Sequence, residues 1–316
     1  MKKILIFYLI TLILNFSTNA QNKVFVEKEY PVTISTSEIK GTLLTPNTIK
    51  KLPLVIFIAG SGPTDRNGNS PMTKNNSLKF LAEGLATQNI ATYRFDKSIL
   101  TTSKNVGFKE DSLRFEDEVE EVKELVQHFK KNKSFSKIYL MGHSQGSLVG
   151  ILAAKNSVDG LISIAGAGRP IDVTITDQIE KQAPFLKAET VKILADLKKG
   201  KIVEEINPYL IALFRKSVQP FLISWIKYHP QMEIHQLKIP ILIINGTKDL
   251  QVPVKDAELL QEANLDADLV IIENMNHLFK KIDGDMIENQ KSYNNPELPV
   301  MPELINAITK FINKQK

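Results

Sequence analysis

An α/β fold, in which a mostly parallel central sheet is flanked by helices and a helical cap is inserted after the sixth strand, is what this sequence predicts. Three observations carry that reading. Short continuous apolar runs at Leu54 to Ile58, Ile138 to Met141, Gly160 to Gly166, Pro240 to Gly246 and Leu269 to Ile272 recur with helical patterns between them, as expected of parallel strands buried on both faces. Before Leu54 the pattern alternates polar and apolar residues instead, which suits an antiparallel pair at a sheet edge. Between the Gly160 run and Pro240 lie roughly 70 residues, far more than one crossover helix needs.

Taken in order, Met1 to Ala20 has a Lys2-Lys3 start, an apolar stretch from Ile4 to Phe16 and a Thr18-Asn19-Ala20 end, the layout of a secretory signal peptide cleaved near Ala20-Gln21. That stretch is shorter than the roughly 20 apolar residues of a membrane span, so a periplasmic or secreted protein without a stable membrane anchor is expected. Residues 21–316 then form one domain, with the cap at 170–236. Val24 to Pro31 and Glu38 to Leu44 make the edge pair. Phe115, Val119, Val122, Val126 and Phe129 are spaced four, three, four and three, which gives a helix one apolar face against the sheet. The glutamates from Glu116 to Glu124 read as its solvated face. In the cap, Ala188 to Lys199 is helical, with Val191, Leu194 and Leu197 on one side and Gly200 as a stop. Pro208 to Phe214 and Phe221 to Tyr228 are strongly apolar. They pack the cap onto the core, and Phe214, Phe221 and Trp225 are the candidates for touching substrate. Lys291 to Pro302 reads as a surface crossing, and Pro302 to Ile312 as a final amphipathic helix with proline in its first turn.

The chemistry is concentrated at Gly142-His143-Ser144-Gln145-Gly146, between the apolar run ending at Met141 and the helix-compatible segment from Ser147 to Ala154. This is a nucleophile elbow in its required setting, a strand that turns sharply into a helix and leaves the serine exposed at the turn. A serine hydroxyl is a weak nucleophile at neutral pH and needs a histidine to take its proton and a carboxylate to orient that histidine. Asp249 follows the strand ending at Gly246, and His277 follows the one ending at Ile272, so the order is Ser, Asp, His. Of the five histidines, His128 lies in a helix, His143 is too near Ser144 to turn back on it, and His229 and His235 precede the Asp249 strand. Asp256, Asp266 and Asp268 are the competing carboxylates and fall at helix and turn positions. Acyl transfer also needs donors for a tetrahedral oxyanion. The backbone N–H groups of Gln145, after the nucleophile, and of Ser61, in the Gly60-Ser61-Gly62-Pro63 loop after the third strand, fill that role.

These motifs resemble the α/β-hydrolase superfamily, and within it bacterial esterases and the serine aminopeptidase-like hydrolases. The resemblance runs from about Val24 to the C-terminus. It rests on Gly60 to Asn69, Tyr93-Arg94-Phe95-Asp96-Lys97, the elbow, Asn245 to Pro253 and Asn276-His277. Gly60-Ser61-Gly62-Pro63-Thr64-Asp65-Arg66 is the most group-specific stretch. Two positions depart from the family pattern. Ala59 stands where many members have histidine before the oxyanion glycine, so the loop must be held another way. Ser98-Ile99 stands where Arg-Gly is frequent. Arg66 suits a loop ion pair with Asp65 or Asp96 better than a clamp on an acidic substrate, and Arg94 and Lys97 are read the same way.

The formal net charge of +5 is mild and its lysines are scattered among acids, so nucleic-acid binding is not expected. Cysteine is absent, which removes disulfides and cysteine-linked lipid anchors. No spacing suggests a metal site, and no cofactor is implied. The leading expectation is an exported serine hydrolase acting on small-molecule carboxylic esters through an acyl-enzyme. An aminopeptidase-like amidase is the second reading, with Glu180, Glu189, Glu204 and Glu205 available to receive a substrate amine. A catalytically idle binding protein on the same fold is the third, and its expected mark, a missing triad member, is not seen.

Overall fold

The computed structural model describes residues 24–155 and 157–315; the expected signal peptide lies outside them. The strands in chain order are β1 (Phe25–Glu29), β2 (Val32–Thr33), β3 (Glu38–Ile39), β4 (Gly41–Pro46), β5 (Leu52–Ile58), β6 (Ala91–Phe95), β7 (Phe135–His143), β8 (Gly160–Ile164), β9 (Ile241–Gly246) and β10 (Asp268–Ile272). Eight of them form one sheet in the order β1-β4-β6-β5-β7-β8-β9-β10, and β2 and β3 pair separately. β4 is antiparallel to both β1 and β6, whereas β6 through β10 run parallel. The change from alternating to continuous apolar sequence thus coincides with the change in pairing. β5 to β9 are buried along nearly their whole length, since helices cover both faces of a parallel sheet.

One face is closed by the helices Phe115–Lys131 and Gln145–Ala153, the other by Ser77–Thr87 and Pro302–Lys314. All five apolar positions expected to face inward on Phe115–Lys131 are buried. Its acidic face is not wholly solvated, because Glu118 pairs with buried Lys97 and burial pushes the Glu121 carboxyl up to about 7. These two residues lie three apart and share the helix edge that turns toward the loop after β6.

Chain order changes direction at β5, which lies between β6 and β7. Connections leave the sheet to opposite sides there and open a crevice at the carboxyl ends of the strands, where open α/β sheets bind ligands. The cap rises over this end. Helices Ile171–Gln182, Lys187–Lys198 and Gln219–Ile226 share a small core that includes Ile193, Leu197, Leu210, Phe214 and Leu222. Two details differ from expectation. Val191 is 46% exposed, while Thr190 and Ile193 take the inward positions, because the buried stripe is rotated toward the neighbouring cap helices. The helix Pro230–His235 at the end of the expected cap packs Ile234 into the main core rather than the cap core. In the C-terminal region, Met286–Ser292 forms a short helix whose N-cap Asp285 accepts from the N–H groups of Ile287 and Glu288; the rest of the expected crossing is irregular.

The loop after β10 carries an unusual buried charge. Lys280 is 0% exposed, donates to the Leu298 carbonyl and lies 4.9 Å from the Phe80 ring centroid. Burial pulls its pKa down to about 8 from 10.5. Between these values the unfolded chain binds more protons, so this residue makes stability rise with pH there, and below about 8 its full burial cost remains. Urea midpoints measured from pH 7 to 9.5 are expected to fall less steeply, or rise more, in the native protein than in Lys280→Met. Parallel curves would show that Lys280 does not titrate in this window.

Candidate active site

Ser144 sits between β7 and the helix Gln145–Ala153 with φ 54° and ψ −121°, a region an L side chain enters only when its surroundings force it. The forcing contacts are close. A Cβ on Gly142 would come within 2.2 Å of the Gly146 carbonyl oxygen, and one on Gly146 within 2.3 Å of the Ile58 carbonyl oxygen. Only glycine lets the elbow close and the helix start this near β5. The Ser144 N–H donates to the Ile164 carbonyl (2.9 Å), and the Ser144 carbonyl accepts from the Ser147 N–H (2.9 Å).

Asp249 follows β9 in a tight turn. One carboxylate oxygen accepts from the N–H groups of Gln251 (2.8 Å) and Val252 (2.9 Å). The other accepts from His277 Nδ1 at 2.8 Å, with both side chains almost wholly buried. With its proton on Nδ1, the imidazole keeps Nε2 free as a base. The two loops approach closely enough that a Cβ on Gly246 would lie 2.0 Å from the Met275 carbonyl oxygen. Asn276 shapes the His277 loop. Its side-chain oxygen accepts from the N–H groups of Leu278 and Lys280 (3.0 Å each), and its amide donates to Asn289 (3.0 Å) and Ser292 (2.7 Å).

His143 joins this loop to the elbow. Its Nε2–H donates to the His277 carbonyl at 2.9 Å, its ring lies 4.7 Å from the His277 ring, and Phe279 packs edge-on against it at 4.8 Å. Burial, with His277 alongside, pushes the His143 pKa down to about 3. It therefore stays neutral at neutral pH.

Ser144, Ser61 and Gln145 line a cavity of 480 Å³ under the cap, with an apolar wall that includes Leu148, Ile175, Phe221, Leu222 and Trp225. Trp225 stacks on Phe115 at 5.2 Å, and the Phe115 N–H donates to Ser224 Oγ at 2.7 Å, so this wall is fastened to the core. The charged groups on the wall are mutually engaged: Arg215 with Glu110, Arg169 with Asp177 and Asp256, and Lys97 with Glu118. A larger depression of 820 Å³ beside Arg66 contains none of Ser144, Asp249 and His277.

The architecture has counterparts among solved structures. Est1E from Butyrivibrio proteoclasticus, with ferulic acid bound, superposes with a TM-score of 0.61 over 90% of this chain and 98% of its own at 18% identity. The Pyrococcus furiosus esterase PF2001 does so with a TM-score of 0.57 over 96% of each chain at 14% identity. This chain has the α/β-hydrolase fold. Residues 75–213 match the model of a family described as serine aminopeptidase, S33. Esterase EstD of Thermotoga maritima is 29% identical over 275 residues, which are 82% of this chain and 61% of that protein. The chain thus spans less than two thirds of that relative's length.

Of the residues singled out in the sequence, the fold brings Asp249 and His277 into contact, sets the His143 ring beside His277, and puts Ser61, Ser144, Gln145, Phe221 and Trp225 on one cavity. Phe214 is a correction. It is fully buried in the cap core and is not part of the cavity wall, because the short helix Ile211–Phe214 turns it inward while Ala212 and Leu213 reach the cavity. Arg66 pairs with Asp96 through two nitrogens and also with Glu29, as a loop-fixing ion pair does. Asp256, a competing carboxylate, is fully buried and holds Arg169 and the Gly168 N–H at the start of the cap. His143 and Lys97 were not expected at the site. The only sequence signal for either was a polar side chain directly at the end of an apolar run.

Asn276→Ala leaves two buried N–H groups without a partner, each worth about 1–3 kcal/mol. The variant is expected to lose about 2 kcal/mol or more in urea unfolding, and its His277 loop to exchange amide protons faster. An unchanged midpoint would show that another group takes over these donors.

Proposed function

We propose that this protein is a hydrolase that cleaves carboxylic esters through Ser144, His277 and Asp249. The observation that carries the reading is the 2.8 Å contact between His277 and Asp249, in a loop that His143 joins to the elbow whose strained Ser144 lies on the wall of an apolar cavity. Ser144 Oγ attacks the ester carbonyl carbon while His277 Nε2 takes its proton. The oxyanion lies against the N–H groups of Ser61 and Gln145. Collapse expels the alcohol, which takes the proton from His277, and leaves the acyl group on Ser144. Water then repeats the sequence and releases the acid. Asp249 holds the Nδ1–H tautomer throughout.

The esterase names of EstD and PF2001 support the ester reading. An apolar acyl group fits a wall whose arginines, lysine and carboxylates are already paired. The aminopeptidase family match favours aminoacyl amides instead. Against it, Glu180 pairs with Lys187, Glu189 with Asn207 and Glu204 with Lys216; these three and Glu205 are absent from the cavity wall, so none is set to receive a substrate amine. Export to the periplasm or medium, with cleavage near Ala20-Gln21, belongs to the same proposal.

Ser144→Ala, His277→Ala and Asp249→Asn are each expected to lower ester turnover by about 10³-fold or more, since triad members act as a unit. Intact-mass labelling with a fluorophosphonate is expected to give one adduct, on Ser144, that His277→Ala abolishes. A Ser144→Ala protein with undiminished hydrolysis would sink the assignment. Trp225→Ala is expected to weaken kcat/KM for long apolar acyl groups about 10-fold or more, because single apolar contacts discriminate by about 1–3 kcal/mol. An equal loss for acetyl esters would place Trp225 outside the acyl pocket.

A further inference from the structure

Lys97 is 7% exposed, and its ammonium has three acceptors: the Gly60 carbonyl at 3.2 Å, Gln145 Oε1 at 3.3 Å and Glu118 Oε1 at 2.8 Å. Three donors thus meet three acceptors. One of those acceptors is on Gln145, whose N–H is one oxyanion donor, and another is on the peptide unit that carries the second, the Ser61 N–H. The Gly60 carbonyl is one end of the peptide unit whose other end is the Ser61 N–H. Among the described residues no peptide bond is cis, and in a planar trans peptide C=O and N–H point in opposite directions. Fixing the oxygen therefore fixes the direction of the N–H. A cation on the oxygen also polarises the amide and strengthens its N–H as a donor.

We propose that Lys97 is the positioning residue of the oxyanion hole, one ammonium that aims the Ser61 N–H through the Gly60 carbonyl and holds Gln145, the residue of the second donor, by its side chain. The proposal rests on the reading of Ser144 as an acyl-transfer nucleophile. Three further observations agree with it. The side chain before Gly60 is Ala59, which has no polar group to hold the loop. A Cβ on Gly60 would lie 3.3 Å from the Ser144 Cβ, so the loop that Lys97 grips touches the nucleophile. Gln145 Nε2 is buried with no hydrogen-bond partner. That is the consequence of turning Oε1 toward the ammonium, since the flipped amide would set donor against donor.

A purely structural role, pairing Glu118, is separable by experiment. Lys97→Met removes the hold but leaves Glu118 without its cation. Lys97→Met/Glu118→Leu removes both charges, so no uncompensated carboxylate is left to lower stability. With p-nitrophenyl butyrate, both are expected to lose about 10- to 100-fold in kcat with KM changed less than threefold, below the 10²–10³-fold of a deleted oxyanion donor. Butylboronic acid, which binds the serine as a tetrahedral anion, is expected to weaken by the same factor as kcat/KM. Recovery of wild-type kcat and boronate affinity in the double variant would overturn the proposal, leaving Lys97 only a partner for Glu118. Fluorophosphonate labelling of the wild type separates the two readings. A wild-type protein that labels while the variants keep full activity defeats the role of Lys97 alone. One that neither labels nor hydrolyses defeats the serine-hydrolase reading and this proposal with it.

Discussion

The elbow at Ser144 depends on how closely the start of the helix Gln145–Ala153 can approach β5, and much of the site follows from that approach. With glycine at 142 and 146 the chain reverses over four residues, and Ser144 is held in a backbone region that nothing local favours. The strain is sustained by burial of the helix and of β5 and β7 on both sides. The same approach brings the loop after β5 against Ser144, so that Ser61 and Ser144 are supplied by adjacent strands. A larger side chain at either glycine would push the helix away and separate them.

Around that fixed point the loops are tied to each other rather than left to their own preferences. The turn after β9 and the loop after β10 meet at Gly246 and Met275, and Asp249 and His277 face each other across that contact. His143 fastens the His277 backbone to the elbow, and Asn276 fastens it to the helix Met286–Ser292. The cap is anchored by Arg169 on buried Asp256 and by aromatic stacking of Trp225 on Phe115. The charges near the cavity are therefore spent on holding loops, and an apolar surface is left for the ligand.

Strand positions, the inward face of Phe115–Lys131 and the final helix were legible in the sequence because each is a repeating pattern that burial imposes on neighbouring residues. The departures arise where packing partners are distant in the chain. Val191 satisfied the helical spacing as well as Ile193 does, but only the placement of the other cap helices selects between them. Phe214 was an apolar residue in an apolar segment, and its direction depends on a helix of four residues. Glu118 and Glu121 belonged to an acidic run that reads as solvated until the loop after β6 is folded against it.

The sequence by itself determined the fold class, the elbow and the candidate Ser144, Asp249 and His277, because a nucleophile elbow is a local device and the other two lie directly after strands whose apolar runs announce them. Tertiary structure alone decided which charged side chains turn inward. Lys97 and Gly60 are 37 residues apart in the chain and meet only because β5 and β6 are neighbours with parallel register. No local pattern encodes that meeting, since a lysine after a strand is by default a solvated cation, and only the finished sheet supplies the carbonyl, amide and carboxylate that make its burial favourable.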